Sequence, residues 1–431
     1  MSPPSPAPRP TSSDAERLLA ERARRQRLAP ATRARDARDL PALLRVLQPV
    51  PPRPFTFPGT PPQLAPRVQF DDLPASEDLR RRGAIVKGRF AGGHVAYVWA
   101  EDLPVFVAAY RRPAARLSPA ARAVLGLLEA EGPTVRSDLK ALLEMPGRAL
   151  SAALIELQQA FLVTELQYET EWDNAWALFD DEFPGVASAG IERADAVDAV
   201  LTLMLESLAF ASDEQLRDRS GFPLSAHGER SRTTVRAAMP RLAASGRAHA
   251  VTVAGLGDVW LAPSVVSAAR TVTPAATLAV AAATASAGTR AVVSPGTPAV
   301  VSEVTPFMVS AATPFMVSAE TPFMVSEVEP FEAVLHPQDP LVLAERSALA
   351  RRYGRSGVLA YIIIDGRFAG AAVGRWGIRP FDVEDVRLDA PYDREPKRQA
   401  AIVDGLRVLF PPPAQRIRHW LGEPFEAPGE G

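Results

Sequence analysis

Arginines with hydroxyl neighbours form one cluster in this chain that has the chemistry to bind phosphate. Arg230, Arg232 and Arg236 surround Thr233 and Thr234 at the start of an amphipathic segment. A guanidinium group forms paired hydrogen bonds with phosphate oxygens, and the N-terminus of a helix attracts the same anion. A solvated basic helix face is an equally open interpretation. On the first interpretation, the three arginines and Thr233 contact nucleic acid.

A second basic cluster is the densest in the part of the chain that the sequence predicts to fold. It consists of Arg80, Arg81 and Arg82, directly before a predicted β-hairpin that carries Lys87 and Arg89. Clustered positive charge is typical of surfaces that bind the phosphate backbone of nucleic acids. We therefore predict that all five side chains contact DNA, with a solvated basic surface as the alternative.

Two weaker basic features complete this set. The run "ERARRQRLAPATRARDAR", residues 21–38, is either a phosphate-binding arm or a charged helix. Arg148 is nearly the only basic residue of another predicted helix, residues 148–160, so it is a possible single DNA contact on a helix that mainly packs. The sequence thus predicts local basic surfaces rather than a basic protein.

Composition excludes several other functions. The 431 residues carry a formal charge of −2, with a pI near 6.3, so the whole molecule attracts neither nucleic acid nor an anionic membrane. Cysteine is absent, which rules out disulfides, thiol catalysis and cysteine-ligated metals. The five histidines are widely scattered, so we expect no metal centre and no cofactor. No apolar run of about 18 residues and no signal peptide is evident, which predicts a cytoplasmic protein without a membrane partner.

Proline-rich and repetitive stretches divide the chain. Residues 1–66 read as a basic, proline-rich arm and linker. Residues 264–333 begin as an Ala/Val/Ser/Thr-rich tract and end in the octapeptides "EVTPFMVS", "AATPFMVS" and "AETPFMVS". Each proline bars a central strand position, and each unit is too short to bury its own Phe and Met. We predict a disordered linker, with a protein-binding role of the repeats at 303–326 as the alternative.

One structural plan is predicted twice between these stretches. In residues 115–182, the helix after "LSP", a short helix "VRSDLKALLEM" and the helix at 148–160 precede the strand-like "FLVTEL" and "AWALF". Residues 193–263 repeat the order and end in "RAHAVTVAGLGDVWLA", although Pro240 is expected to kink or shorten the third helix. Three helices followed by a two-stranded ribbon is the winged-helix arrangement.

The two ends of the folded part are less regular. Residues 67–112 read as a degenerate first winged helix, in which a short basic helix runs into a hairpin with strands at 85–90 and 94–99. Residues 340–431 contain the hairpin "YIIIDGRFAGAAV", the strand "FDVEDVRL" and one helix before Pro411. The predicted fold class is therefore α+β: tandem winged-helix domains, each a helix-turn-helix with a β-wing, followed by a small β-rich C-terminal domain.

These elements carry a family resemblance. Tandem winged helices with "LSPAARAVLGLLEAEGP", preceded by "VKGRFAGGHVAYVWAEDLP" and followed by "YIIIDGRFAGAAVGRWG", resemble the winged-helix DNA glycosylases of the YcaQ/AlkZ type. They are also similar to the C-terminal region of Lhr-type helicases. The resemblance implies three winged helices in a C-shaped arrangement around duplex DNA, and excision of alkylated or crosslinked bases.

The resemblance also implies a catalytic Gln-x-Gln or Gln-x-Asp pair near the first winged helix. In this chain the matching pair is Gln69 and Asp71, in "VQFDD", and the alternative is a polar turn that leads into a helix near Ser76. The other nearby glutamine, in "LQPV", has Val50 at the partner position. Hydrolysis of an N-glycosidic bond passes through an oxocarbenium-like state, which a carboxylate stabilises. Two hypotheses follow: a DNA glycosylase, or a non-catalytic winged-helix DNA-binding or scaffold protein.

Overall fold

The structure is a computed structural model. It describes residues 14–53, 60–62, 64–90, 92–114, 117–166, 175–186, 189–223, 231–266, 330–354, 356–375, 382–394, 396–410 and 416–425. The octapeptide repeats lie outside the described residues. None of the described helices combines the length and the apolar character that a membrane crossing requires.

The first unit contains a two-stranded antiparallel sheet among short helices. Its elements are α1 (Asp14–Arg25), α2 (Leu40–Leu47), α3 (Leu73–Arg81), β1 (Ile85–Phe90), β2 (His94–Trp99) and α4 (Leu103–Tyr110). Both strands have the predicted bounds, and they pair from Ile85 opposite Trp99 to Phe90 opposite His94. On the other edge of β2, Val50 forms a single bridge to Tyr97. In the second and third units, described below, a short first strand pairs with the ribbon at the same place.

The second unit is a complete winged helix. Its elements are α5 (Pro119–Glu131), β3 (Thr134–Val135), α6 (Arg136–Leu142), α7 (Gly147–Gln159), β4 (Val163–Glu165), β5 (Ala175–Leu178) and α8 (Phe179–Glu182). The Oγ atom of Ser118 accepts a hydrogen bond from the backbone N of Ala121 and caps α5, as a serine before a proline-led helix predicts. Leu128, Leu139, Leu150 and Leu157 form a core of this unit. The strand order is β3-β5-β4.

The third unit repeats that plan with the same topology. Its elements are α9 (Arg193–Leu208), β6 (Phe210–Ala211), α10 (Asp213–Ser220), α11 (Ser231–Ala244), β7 (His249–Val253) and β8 (Gly257–Leu261), with the strand order β6-β8-β7. A capping box of Ser212 and Gln215 starts α10. The helix α11 runs through Pro240 to Ala244, so of the two predicted effects of this proline, a kink or a shortening, the shortening does not occur. Each complete unit also has a third strand of two residues, where the sequence predicted only a ribbon.

The C-terminal unit is a seven-stranded sheet with helices beside it. Its elements are β9 (Glu332–Leu335), α12 (Pro340–Ala344), α13 (Arg346–Tyr353), β10 (Val358–Ile364), β11 (Arg367–Gly374), β12 (Asp382–Leu388), α14 (Pro396–Leu409), β13 (Arg416–Ile417), β14 (His419–Trp420) and β15 (Glu423–Pro424). The strands β10 and β11 form the predicted "DG" hairpin. The strand β9 pairs with β10 and begins inside the stretch predicted as linker, which ends at residue 333. Ala333, Val334 and Leu335 are buried in the sheet, so the folded C-terminal unit starts earlier than predicted. The predicted α+β class, with winged helices before a β-rich domain, is confirmed.

A buried ion pair joins the first unit to the C-terminal unit. The guanidinium of Arg67 is 1% exposed and binds both carboxylate oxygens of Asp339, at 2.5 and 2.7 Å. The same guanidinium lies 3.4 Å from Oε1 of Gln26, whose Nε2 donates to the backbone O and the Oγ of Ser207 in α9. Removing one partner from such a pair lowers the free energy of unfolding by about 3–5 kcal/mol, because the other charge is left buried without a partner. This network fixes the first, third and C-terminal units against one another.

Candidate nucleic-acid interface

A groove of about 960 Å³ lies between the first and third units. We call it the arginine groove, because five of the side chains that line it are arginines: Arg24, Arg25, Arg27, Arg45 and Arg247. Among the described residues that line the groove, Glu206 is the only acidic one. Arginine thus dominates the charged side chains of the described lining, on a chain whose formal charge is −2.

Helix geometry places these arginines around the groove. One wall is a face of α9, formed by Ala199, Thr202, Leu203 and Glu206, which follow the i, i+3, i+4, i+7 spacing of a single helix face. The C-terminal turn of α1 supplies Arg24 and Arg25, where cations are favoured by the helix dipole. The C-terminal part of α2 supplies Arg45, and the turn after α11 supplies Arg247.

Carboxylates orient most of these guanidinium groups without burying them. The side chains of Arg24, Arg45 and Arg247 stay 53%, 46% and 43% exposed while they pair with Glu21, Glu101 and Asp198, respectively. Exposed pairs of this kind contribute only about 0–1 kcal/mol, so a phosphate oxygen competes readily for the guanidinium. The three exposed arginines are therefore available to an anionic ligand.

Arg25 is held more firmly. It donates to Oε2 of Glu206 at 2.7 Å, to the backbone O of Glu206 at 2.8 Å and to Oγ of Ser264 at 2.7 Å. It also pairs with Glu21 across one turn of α1, and its side chain is only 12% exposed. Its main effect is to fix α1 against α9 and to hold Glu206 in the wall of the groove.

Apolar side chains lie between the charged groups. Val46 is 41% exposed in the groove, beside Leu203 and Ala31. The guanidinium carbon of Arg45 stands 4.5 Å from the centre of the Trp99 ring, a cation–π contact that fixes the direction of the arginine. A mixed lining of this kind suits a ligand with both charged and apolar faces, as nucleic acid has.

Two of the five side chains in the predicted cluster at residues 80–89 are internal, which corrects the expectation that they face DNA. Arg80 is 3% exposed and pairs with Glu77 on its own helix. Lys87 is 6% exposed and pairs with Glu165 of β4, and burial lowers the pKa of its ammonium group. Two of the five side chains therefore bind carboxylates within the protein. For Lys87 the partner comes from the second unit, against which the hairpin packs.

The other predicted DNA contacts are on the surface or outside the described side chains. Arg82 is exposed and pairs with Asp78 at 2.8 Å. Arg89 is partly buried, and its Nε donates to Oε1 of Gln158 at 2.7 Å. Three further predicted contacts are exposed arginines: Arg81, Arg148 and Arg236. Arg230 lies outside the described residues, and Arg232 and Thr233 belong to α11 with side chains that are not described.

One residue of the predicted catalytic pair, Gln69, contacts the segment that leads into the arginine groove. Gln69 is exposed, and its Nε2 donates to the backbone O of Pro30 at 3.2 Å, one residue before Ala31 of the groove lining. Asp71 is also exposed, and its Oδ1 accepts a hydrogen bond from the backbone N of Leu73 at the start of α3. Both side chains are thus open to solvent and anchored by one hydrogen bond each.

A buried carboxyl group that the sequence analysis did not single out lies next to this pair. Asp72 is 1% exposed and accepts a hydrogen bond of 2.6 Å from the backbone N of Leu64. Burial raises its pKa to about 6, against this hydrogen bond, so it exchanges a proton near neutral pH. In the sequence, Asp72 follows the predicted catalytic Asp71 directly, in "VQFDD", and this second acidic residue is the signal that could have identified it.

Gln48, the other glutamine near the first winged helix, is an internal residue. It is 2% exposed, its Oε1 accepts from the backbone N of Trp99 at 2.7 Å, and its Nε2 donates to Asp102 at 2.6 Å. Both ends of the amide are therefore bound within the protein. Of the two glutamines, Gln69 has the side chain that can reach a ligand.

A comparison with solved structures identifies a protein with a similar fold. Streptomyces sahachiroi DNA glycosylase AlkZ matches with a TM-score of 0.58 over 94% of this chain and 100% of its own, at 14% sequence identity. The chain has an AlkZ-type fold. At 14% identity the likeness to AlkZ concerns the fold alone. No protein-family model matches the sequence, and no curated protein matches it.

Proposed function

We propose that this protein binds duplex DNA in the arginine groove through contacts to the phosphate backbone. The observation that carries the proposal is the set of five arginines that line one groove, where the described lining has a single acidic residue. The side chains of three of these arginines are more than two fifths exposed, so a phosphate can reach them without any rearrangement of buried residues. The AlkZ-type fold supports the same interpretation, because AlkZ is a DNA glycosylase.

Recognition of this kind is expected to be independent of base sequence. Arginine contacts to phosphate fix the position of a protein on DNA but do not read bases. Titration of a fluorescently labelled 20-base-pair duplex, followed by anisotropy at several salt concentrations, tests the proposal. Three phosphate contacts predict a slope of log K against log salt of about −3, with little difference between duplexes of shuffled sequence. An affinity that salt does not change would contradict the proposal.

We also propose, as a second candidate function, hydrolysis of the N-glycosidic bond of a damaged nucleotide. It is supported by two exposed side chains, Gln69 and Asp71, on a fold shared with a glycosylase; Gln69 is hydrogen-bonded to Pro30, next to Ala31 of the groove lining. In this step Asp71 accepts a proton from the attacking water and offsets the positive charge that develops at the sugar C1′, while the Gln69 amide orients the water. The bond between C1′ and the base nitrogen breaks as the water oxygen bonds to C1′. Release of free base from alkylated duplex DNA measures this activity.

A further inference from the structure

The tip of the β1–β2 hairpin lies where the units of the protein meet. Nη1 of Arg89 donates to the backbone O of Gly93 at 3.0 Å, inside the hairpin. A Cβ atom added to Gly93 would lie 2.6 Å from Nε2 of Gln159, at the C-terminal end of α7. A Cβ added to Gly92 would lie 4.0 Å from the backbone O of Gly221, which ends α10. The tip therefore packs against both the second and the third unit.

Positive side chains from several elements surround this tip. The Cβ position of Gly93 is 4.0 Å from Nη2 of Arg112, which is exposed. Burial lowers the pKa of the His94 imidazole, and the positive charges of Arg346 and Arg89 lower it further. Arg346 is the exposed first residue of α13 in the C-terminal unit. We call Arg89, His94, Arg112 and Arg346 the tip cluster.

No carboxylate of the described residues forms an ion pair with the arginines of the tip cluster. Among the ion pairs of the described residues, none includes Arg89, Arg112 or Arg346. Glu165 acts on the charge of Arg89 but is itself bound to Lys87. The clustered cations repel one another, and an anion placed between them offsets that repulsion. This differs from the arginine groove, where each exposed arginine has a carboxylate partner.

We propose that the tip cluster binds a phosphate group of nucleic acid, as a contact site separate from the arginine groove. None of its four residues lines that groove. Two exposed guanidinium groups supply the paired N–H donors that phosphate oxygens accept. The imidazole of His94 supplies a further donor. The proposal rests on the proposed function, since it extends the surface that DNA occupies. Inorganic phosphate has the same chemistry and is the alternative ligand.

Charge reversal of the two exposed arginines tests the tip cluster. Arg112→Glu/Arg346→Glu is expected to weaken duplex binding by about tenfold or more and to reduce the salt slope by about 2. The matched control is Arg375→Glu/Arg387→Glu, which makes the same change of charge on exposed arginines of the C-terminal sheet. Circular dichroism and thermal unfolding confirm that each variant is folded. A tip variant that binds duplex as tightly as the control variant overturns the proposal and leaves the proposed function standing.

Histidine NMR distinguishes the two phosphate sources. The ring signal of His94, assigned with His94→Gln, is followed while either the 20-base-pair duplex or inorganic phosphate is added. A shift with micromolar duplex, but only with millimolar inorganic phosphate, supports a nucleic-acid contact. An equal response to both at the same concentration overturns that assignment in favour of free phosphate. If wild-type protein binds no duplex, the proposed function fails; a His94 shift with inorganic phosphate then still supports anion binding by the cluster, and no shift overturns it.

Discussion

Reversing the charge of Arg45 and Arg247 is expected to weaken duplex binding on the order of a hundredfold at about 0.1 M salt. These two side chains stand on opposite parts of the arginine groove and are 46% and 43% exposed. Each substitution removes a phosphate contact and replaces it with a repulsive charge. The slope of log K against log salt should fall by about 2, because two fewer counterions are released. Anisotropy titration of the labelled duplex measures both quantities.

Two controls separate this effect from damage to the fold. Glutamate at position 45 faces Glu101, and glutamate at position 247 faces Asp198, so the reversed variant loses some stability. The neutral variant Arg45→Gln/Arg247→Gln avoids that repulsion and should lose about tenfold in affinity. The variant Arg375→Glu/Arg387→Glu has the same net charge as the reversed one and should bind nearly as wild type. Equal affinities for the groove variant and this charge-matched control would place DNA elsewhere on the protein.

Asp71→Asn is expected to reduce the release of alkylated base from duplex DNA by about a hundredfold to ten-thousandfold, the usual contribution of a positioned general base. Asparagine has nearly the same shape and retains an oxygen to accept the hydrogen bond from the backbone N of Leu73. The fold and the start of α3 should therefore be unchanged. Gln69→Ala should reduce the rate as well, because the water loses an orienting amide.

Asp78→Asn is the matched control for this experiment. Asp78 is an exposed aspartate of α3, the helix that begins two residues after Asp71, and it pairs with Arg82. Its variant should release base at the wild-type rate. Equal rates for Asp71→Asn and Asp78→Asn would remove Asp71 from the chemistry. Absence of base release by wild-type protein, with duplex binding retained, would make the protein a non-catalytic DNA-binding module.

The local periodicity of apolar residues and the turn residues predicted most of the helices and strands. Alternating side chains and the glycine turn predicted the β1–β2 hairpin to the residue, and the helical spacing of leucines predicted α7 within one residue of each end. The short strands β3 and β6 were missed, because two residues are too few for any periodic signal. Their existence depends on pairing with β5 and β8, which lie about 40 to 50 residues further along the chain.

The positions of the charged side chains were much harder to predict. Lys87 reads as a surface residue from its neighbours, yet it is buried because Glu165, 78 residues away, lies against it. Arg67 and Asp339 are 272 residues apart and meet only through packing between units. Arg247 joins Arg24 in one groove for the same reason, and nothing near Arg247 in the sequence marks it. Of the groove arginines, the basic run at 21–38 signalled those from Arg24 to Arg27.

Photo-crosslinking from the groove is the most direct test of where DNA binds. Val46 is 41% exposed in the arginine groove, and Val408 is 52% exposed on α14 of the C-terminal unit, where it does not line the groove. Each is replaced in turn by the photoreactive residue p-benzoylphenylalanine, and the protein is irradiated with a labelled duplex at low salt. We predict a protein–DNA crosslink from position 46 and none from position 408. Duplex binding without a crosslink from position 46, or equal crosslinking from both positions, would contradict the account.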